Sequence, residues 1–161
     1  VISREDLIDK SVREFARQYL VTRGYGPDKL RWIESFPHSL ESLDGVSLAA
    51  VGFNFDDEGR EAEMGSSLTE RNYTIEFFVF GVDMEIARNV ANWMKFALES
   101  DEQGTLPLMD YGQDPPVEID RLRVDGVSTH HQAFLDPEPW QEFTWLTTVR
   151  VEDIYYASTL A

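Results

Sequence analysis

The chain has no cysteine, which excludes disulfides, thiolate zinc sites and cysteine nucleophiles. It is also poor in bases: 14 Lys and Arg stand against 30 Asp and Glu, a formal charge of −16. A surface this acidic repels phosphate and cannot supply the basic footprint that duplex binding requires. No apolar run approaches the roughly 20 residues that cross a bilayer. The segment Val1 to Lys10 carries acids where a secretory leader has bases and then an apolar stretch. Missing too are the G-x-S-x-G elbow and the G-x-G-x-x-G and G-x-x-x-x-G-K-[ST] phosphate cradles. Without a repeat, a low-complexity tract or a linker, the 161 residues read as one domain.

What is present is a globular composition, 42% hydrophobic, enough for a packed core. The most informative stretch is Arg71 to Glu99, where a strand pattern passes directly into a helix pattern. Tyr73, Ile75, Phe77 and Val79 recur at period two, and Phe78 and Phe80 make the other face apolar as well. An interior strand of a sheet covered on both sides is expected. Ile86, Ala87, Val90, Trp93, Met94 and Ala97 then recur at helical spacing, with Asp83 at the N-cap position.

Ser3 to Leu20 reads as a first amphipathic helix, with Ser3 and Asp6 forming a variant capping box. Its stripe is Ile8, Val12, Phe15, Ala16 and Tyr19, and Gly24 and Gly26-Pro27 end it. Leu30 to Glu34 is a short strand. Val46 to Phe55 is the next, with a phase slip between Leu48 and Val51 that suggests a bulge near Gly52. Asp56 to Glu70 reads as a long polar connection, the tip of an antiparallel hairpin. Ser100 to Pro116, with Gly104, Pro107, Gly112 and Pro115-Pro116, is a loop in this reading. Val117 to Val124 is a short strand, His130 to Pro139 a turn-rich connection, and Trp140 to Tyr155 a long last strand. The expected fold is α+β: a largely antiparallel sheet of four to five strands with two helices packed on it.

Candidate chemistry is sparse. Asn54 to Gly59 has oxygens at alternate positions, but Gly65 stands where a calcium loop needs a bidentate glutamate. His130-His131 lie between Asp125 and Asp136, yet adjacent histidines point different ways and chelate poorly. They read as loop or subunit-contact residues, and His38 as a loop residue. With 30 acids a chance carboxylate pair is unavoidable, so such a pair carries no information. Trp93, Met94 and Trp145 read as core. Trp140, beside the rigid Asp136-Pro137-Glu138-Pro139 turn, is either core rim or an interface anchor. No cofactor, metal site or catalytic residue is assigned.

The order of elements resembles the tail terminator family of long-tailed bacteriophages. The features that carry the resemblance are the opening helix (Ser3 to Leu20) and the aromatic strand Tyr73 to Gly81 running into the helix Met84 to Glu99. The loop with Pro107-Leu108-Met109-Asp110-Tyr111 and the closing strand Trp145 to Tyr155 complete it. The resemblance implies a non-enzymatic subunit of a homohexameric ring in the virion tail or neck, assembled in the host cytoplasm. One face of such a ring docks on the tail tube protein and stops its polymerisation, the other meets a head-completion or stopper protein. DNA is passing cargo in the lumen, and no membrane is involved. Ring closure needs two different patches that meet. The expected interface residues are Asp56, Asp57, Glu58, Arg60, Glu61, Glu63 and Met64 in the hairpin arm, Trp140 in the turn, and Arg150 and Glu152 on the outward face of the last strand. A neck or head-completion connector, an acidic protein that mimics DNA, and a small hydrolase or metal-dependent enzyme are the other readings.

Overall fold

The computed structural model describes residues 2–33, 49–61, 68–99 and 104–156. The first helix, α1 (Arg4–Thr22), starts where Ser3 Oγ accepts from the Asp6 N–H at 3.2 Å. It stops at Gly24, whose φ of 92° only glycine adopts without strain. Strand β1 (Leu30–Trp32) follows, then β2 (Ala49–Glu61), β3 (Leu68–Gly81), the helix α2 (Met84–Glu99), β4 (Thr105–Asp110), β5 (Val117–His131) and β6 (Thr144–Tyr156). A 3-10 turn at Pro139–Gln141 precedes β6. Asp83 caps α2, its Oδ1 accepting from the Ile86 N–H at 2.9 Å.

One six-stranded sheet runs β1-β2-β3-β6-β5-β4. Among the described residues only the β1–β2 pair is parallel. The class is α+β as expected, with one strand more than the sequence pattern shows. That strand is β4, hidden in the segment read as a loop because Pro107 looks like a breaker. An edge strand tolerates proline, since the missing N–H costs no ladder bond there.

Both helices cover the same face of the sheet, where Tyr73, Ile75, Phe77, Val79, Val149 and Val151 are buried with Ile8, Val12, Ala16, Val90 and Met94. Each large apolar side chain so buried contributes about 1.5–3 kcal/mol. The strand β3 is interior, as its pattern predicts. Its second apolar face is covered only in part: Phe80 is buried and Phe78 half-buried, at the end where the 3-10 turn touches β3.

Other expectations are corrected. The β2–β3 ladder is unbroken from Ala49↔Gly81 to Glu61↔Thr69, so no bulge interrupts β2 from Ala49 onward; Val46 to Leu48 lie outside the described residues. Asp56 to Glu61 and Leu68 to Glu70 are strand, not a polar connection, because cross-strand pairing with a hydrogen-bonded neighbour overrides their polar composition. β5 runs to His131. It extends past Val124 because a register shift between Val124 and Gly126 absorbs one residue and reverses the apparent phase. His130 and His131 are therefore strand residues rather than loop residues.

Candidate functional site

The sheet's two faces divide the chemistry. On the face away from the helices, β6 places Thr148, Arg150 and Glu152 in register with Glu76, Thr74 and Asn72 of β3. β5 adds Ser128 beside Thr148 and Arg123 beside Glu152. Arg123 reaches Glu152 at 3.7 Å, and Arg150 reaches Asp125 at 3.7 Å. Both contacts are long and partly solvated, so they add little stability. Their effect is to keep the cations of this face beside carboxylates.

Of the expected interface residues, Arg150 and Glu152 lie on this face as anticipated. Asp56, Glu58 and Arg60 stand opposite Thr74, Asn72 and Glu70, while Asp57 and Glu61 stand opposite Tyr73 and Thr69. Trp140 belongs to the 3-10 turn, and Glu63 and Met64 lie outside the described residues. Asp56 to Glu61 and Leu68 to Glu70 thus extend the sheet, and β6 runs beside them: Ile154, Tyr155 and Tyr156 pair with Glu70, Thr69 and Leu68. The calcium-like run Asn54 to Gly59 lies within β2, opposite Glu76 to Arg71, and forms no loop.

The other expected groups are scattered. His131 stacks edge-on to Trp145, ring centroids 6.2 Å apart, and His130 is exposed on the opposite face. Trp145 is half-buried, its Nε1 donating to Met84 Sδ. Met94 is core, but Trp93 is not wholly so. Trp93, Tyr19 and Phe96 form a surface cluster with centroids 5.9 to 6.4 Å apart, and the Arg23 guanidinium lies 4.4 Å above the Trp93 ring. Helical periodicity alone could not find it, because it forms between two helices.

A groove of about 410 Å³ opens between α1 and the β4–β5 turn, lined by Phe15, Pro107, Met109, Tyr111 and Pro116. Burial holds the Tyr111 phenol above its ordinary pKa, with Glu14 adding to the effect. In the turn itself Asp110 accepts from Gln113 Nε2 and the Gly112 N–H, which lowers its carboxyl below the usual value. Among the described residues no three His, Asp or Glu side chains gather as a metal site. No helix among them is long and apolar enough to cross a membrane.

The arrangement is one of surfaces: a sheet face that no helix covers, polar around Thr148 and Arg150 and apolar at Phe78 and Phe80, three strands that run on side by side, and two sheet edges. No protein-family model matches the chain, and no curated protein sequence matches it.

Proposed function

We propose that this chain is the subunit of a ring that caps the tail tube of a long-tailed bacteriophage, stops tube polymerisation and joins the tail to the head. The observation that supports it best is the one-sided helix layer. It leaves the other sheet face without a helix over it and carries three strands, β2, β3 and β6, side by side as far as Glu61, Leu68 and Tyr156. The β2–β3 ladder is close to 40 Å long at about 3.3 Å per residue. A subunit that meets one neighbour with an arm and the other with a different patch can close a ring. The charge of −16 fits a lumen along which phosphate slides instead of condensing. On the open face Arg123 and Arg150 stand beside Glu152 and Asp125, so they do not present isolated positive charge to passing DNA.

The test is the mass of the purified protein, alone and mixed with tail tubes, by light scattering and negative-stain microscopy. A six-fold ring, or a discrete cap at one tube end with arrested growth, is the expected result. A monomer that ignores tubes would overturn this reading. The same acidic composition then favours a decoy for a basic DNA-binding partner, bound in a salt-sensitive way. A ring that binds head-completion proteins but not tubes would place the subunit in the neck instead.

A further inference from the structure

The sheet has two incompletely used edges. β1 covers β2 only over Ala49 to Val51, and among the described residues no strand pairs with the outer side of β2 from Gly52 to Glu61. At the other edge β4 pairs with β5 only as far as Arg123, and the Val124 N–H is taken by the Gly104 carbonyl. Among the described residues nothing pairs with the outer side of β5 from Asp125 to His131. Unpaired strand edges are rows of backbone donors and acceptors that seek another strand.

These two edges match each other in direction, level and hydrogen-bond phase. Their directions are opposite: β2, β3, β6 and β5 alternate, so β2 of one copy set beside β5 of another gives an antiparallel pair. Their levels coincide, because Phe53, Phe77, Thr147 and Thr129 stand in one transverse row, and Phe55, Ile75, Val149 and Val127 in another. Their hydrogen-bond phases agree as well. Val51 turns its carbonyl outward to the Ile33 N–H, so by alternation the amides of Phe53 and Phe55 also face out. Gln132 donates inward to Thr144, so the amides of His131, Thr129 and Val127 face out. Outward groups therefore meet outward groups in the same rows.

We propose that neighbouring subunits pair the β2 edge of one copy with the β5 edge of the next, Phe53 opposite Thr129 and Phe55 opposite Val127, so that one sheet runs through the assembly. The contact joins two different edges of one chain, a heterologous interface that gives a ring when the rotation between neighbours closes. β1 beside Val51 and β4 beside Arg123 bound the window, which runs from Gly52 to Asp56 of one copy opposite His130 to Gly126 of the next. The inference rests on the ring reading of the preceding subsection and adds its contact.

The absence of cysteine makes a clean test. In the proposed register Asn54 and Ser128 fall opposite each other at a non-hydrogen-bonded site, where Cα atoms lie about 4.5 Å apart, within disulfide range. Within one chain three strand spacings of about 4.8 Å separate them, far beyond a disulfide's reach. The variant carrying Asn54→Cys and Ser128→Cys, oxidised alone and with tail tubes, should give a ladder on a non-reducing gel that ends at the closed ring. Each single variant should give no ladder, and Asn54→Cys with His130→Cys, two residues out of register, should cross-link at least tenfold less. A double variant that is folded by circular dichroism yet gives no ladder under either condition overturns the contact. So does equal cross-linking in both registers. Capping of tubes without the ladder would reject this contact and keep the terminator reading. A ladder without capping would keep the contact and reject the terminator reading.

Discussion

Arg4 and Asp153 are 149 residues apart and meet through two hydrogen bonds, Nε to Oδ2 at 2.6 Å and Nη2 to Oδ1 at 2.8 Å. Nη2 also donates to Asp120 Oδ2 at 2.8 Å. The location explains the contact. The β5–β6 ladder ends at Arg123↔Glu152, and the guanidinium at the start of α1 fills the fork where Asp120 of β5 and Asp153 of β6 diverge. Asp153 is buried at 1% exposure, so its carboxylate needs hydrogen-bond donors in place of water, and Arg4 supplies two of them.

Arg4→Ala should therefore destabilise the fold by about 3–5 kcal/mol, the cost of stranding a buried carboxylate. The midpoint of urea unfolding checks it. Arg4→Ala combined with Asp153→Asn should recover part of the loss, since the stranded charge is then gone. An additive double variant would show that the two residues do not act as a pair.

Gly81 sits where β3 turns into α2, and a Cβ there would stand 2.9 Å from the Ala87 nitrogen and 3.0 Å from the Asp83 carbonyl oxygen. Both are backbone atoms that cannot step aside without disturbing the first turn of α2. Gly81→Ala should cost about 1–3 kcal/mol in thermal unfolding, the usual range for overpacking. Gly126→Ala is a useful control, because nothing lies within 4 Å of its added Cβ.

Burial raises the Asp9 carboxyl above its ordinary pKa of 3.8, outweighing the pull of Arg13 at 3.3 Å. The folded state thus holds this proton more tightly than the unfolded chain does. The stability that comes from it is fully present below the unfolded value and is lost as pH rises through the folded one. Asp9→Asn should consequently be more stable than the parent at pH 7, and the two should converge below the unfolded pKa. Urea titrations at both pH values decide the matter; a variant less stable at pH 7 would show that the Arg13 pair outweighs burial.

Assembly of subunits that each carry −16 works against mutual repulsion. Backbone pairing between edges is far less sensitive to salt than ion pairing is. Raising salt from about 0.01 M to about 1 M shortens the screening length from roughly 30 Å to 3 Å, and the oligomer fraction seen by light scattering should rise with it. A fall would point to ion pairs across the contact.

Much of the local structure was legible in the chain. The strand-to-helix switch at Gly81, the Asp83 and Ser3 caps, and the buried alternation Tyr73-Ile75-Phe77-Val79 follow from side-chain period and capping chemistry, which act over a few residues. The outward setting of Arg150 and Glu152 follows from the same alternation. Where the structure departs from the local pattern, a distant partner changes the rule. Pro107 fits a strand because β4 lies at an edge, and β5 continues past Gly126 because β6 accommodates an extra residue. Asp56 to Glu61 is strand because β3 supplies the ladder.

The class of fold, the faces of both helices and of β3, and the acidic surface depend on residue type and near neighbours, so the amino-acid order alone dictates them. Tertiary structure alone decided which strands lie at the edges, how their rows align, and that Arg4 closes the fork between Asp120 and Asp153. Those outcomes depend on pairings between residues far apart in the chain, and no local period records which partner a strand will take.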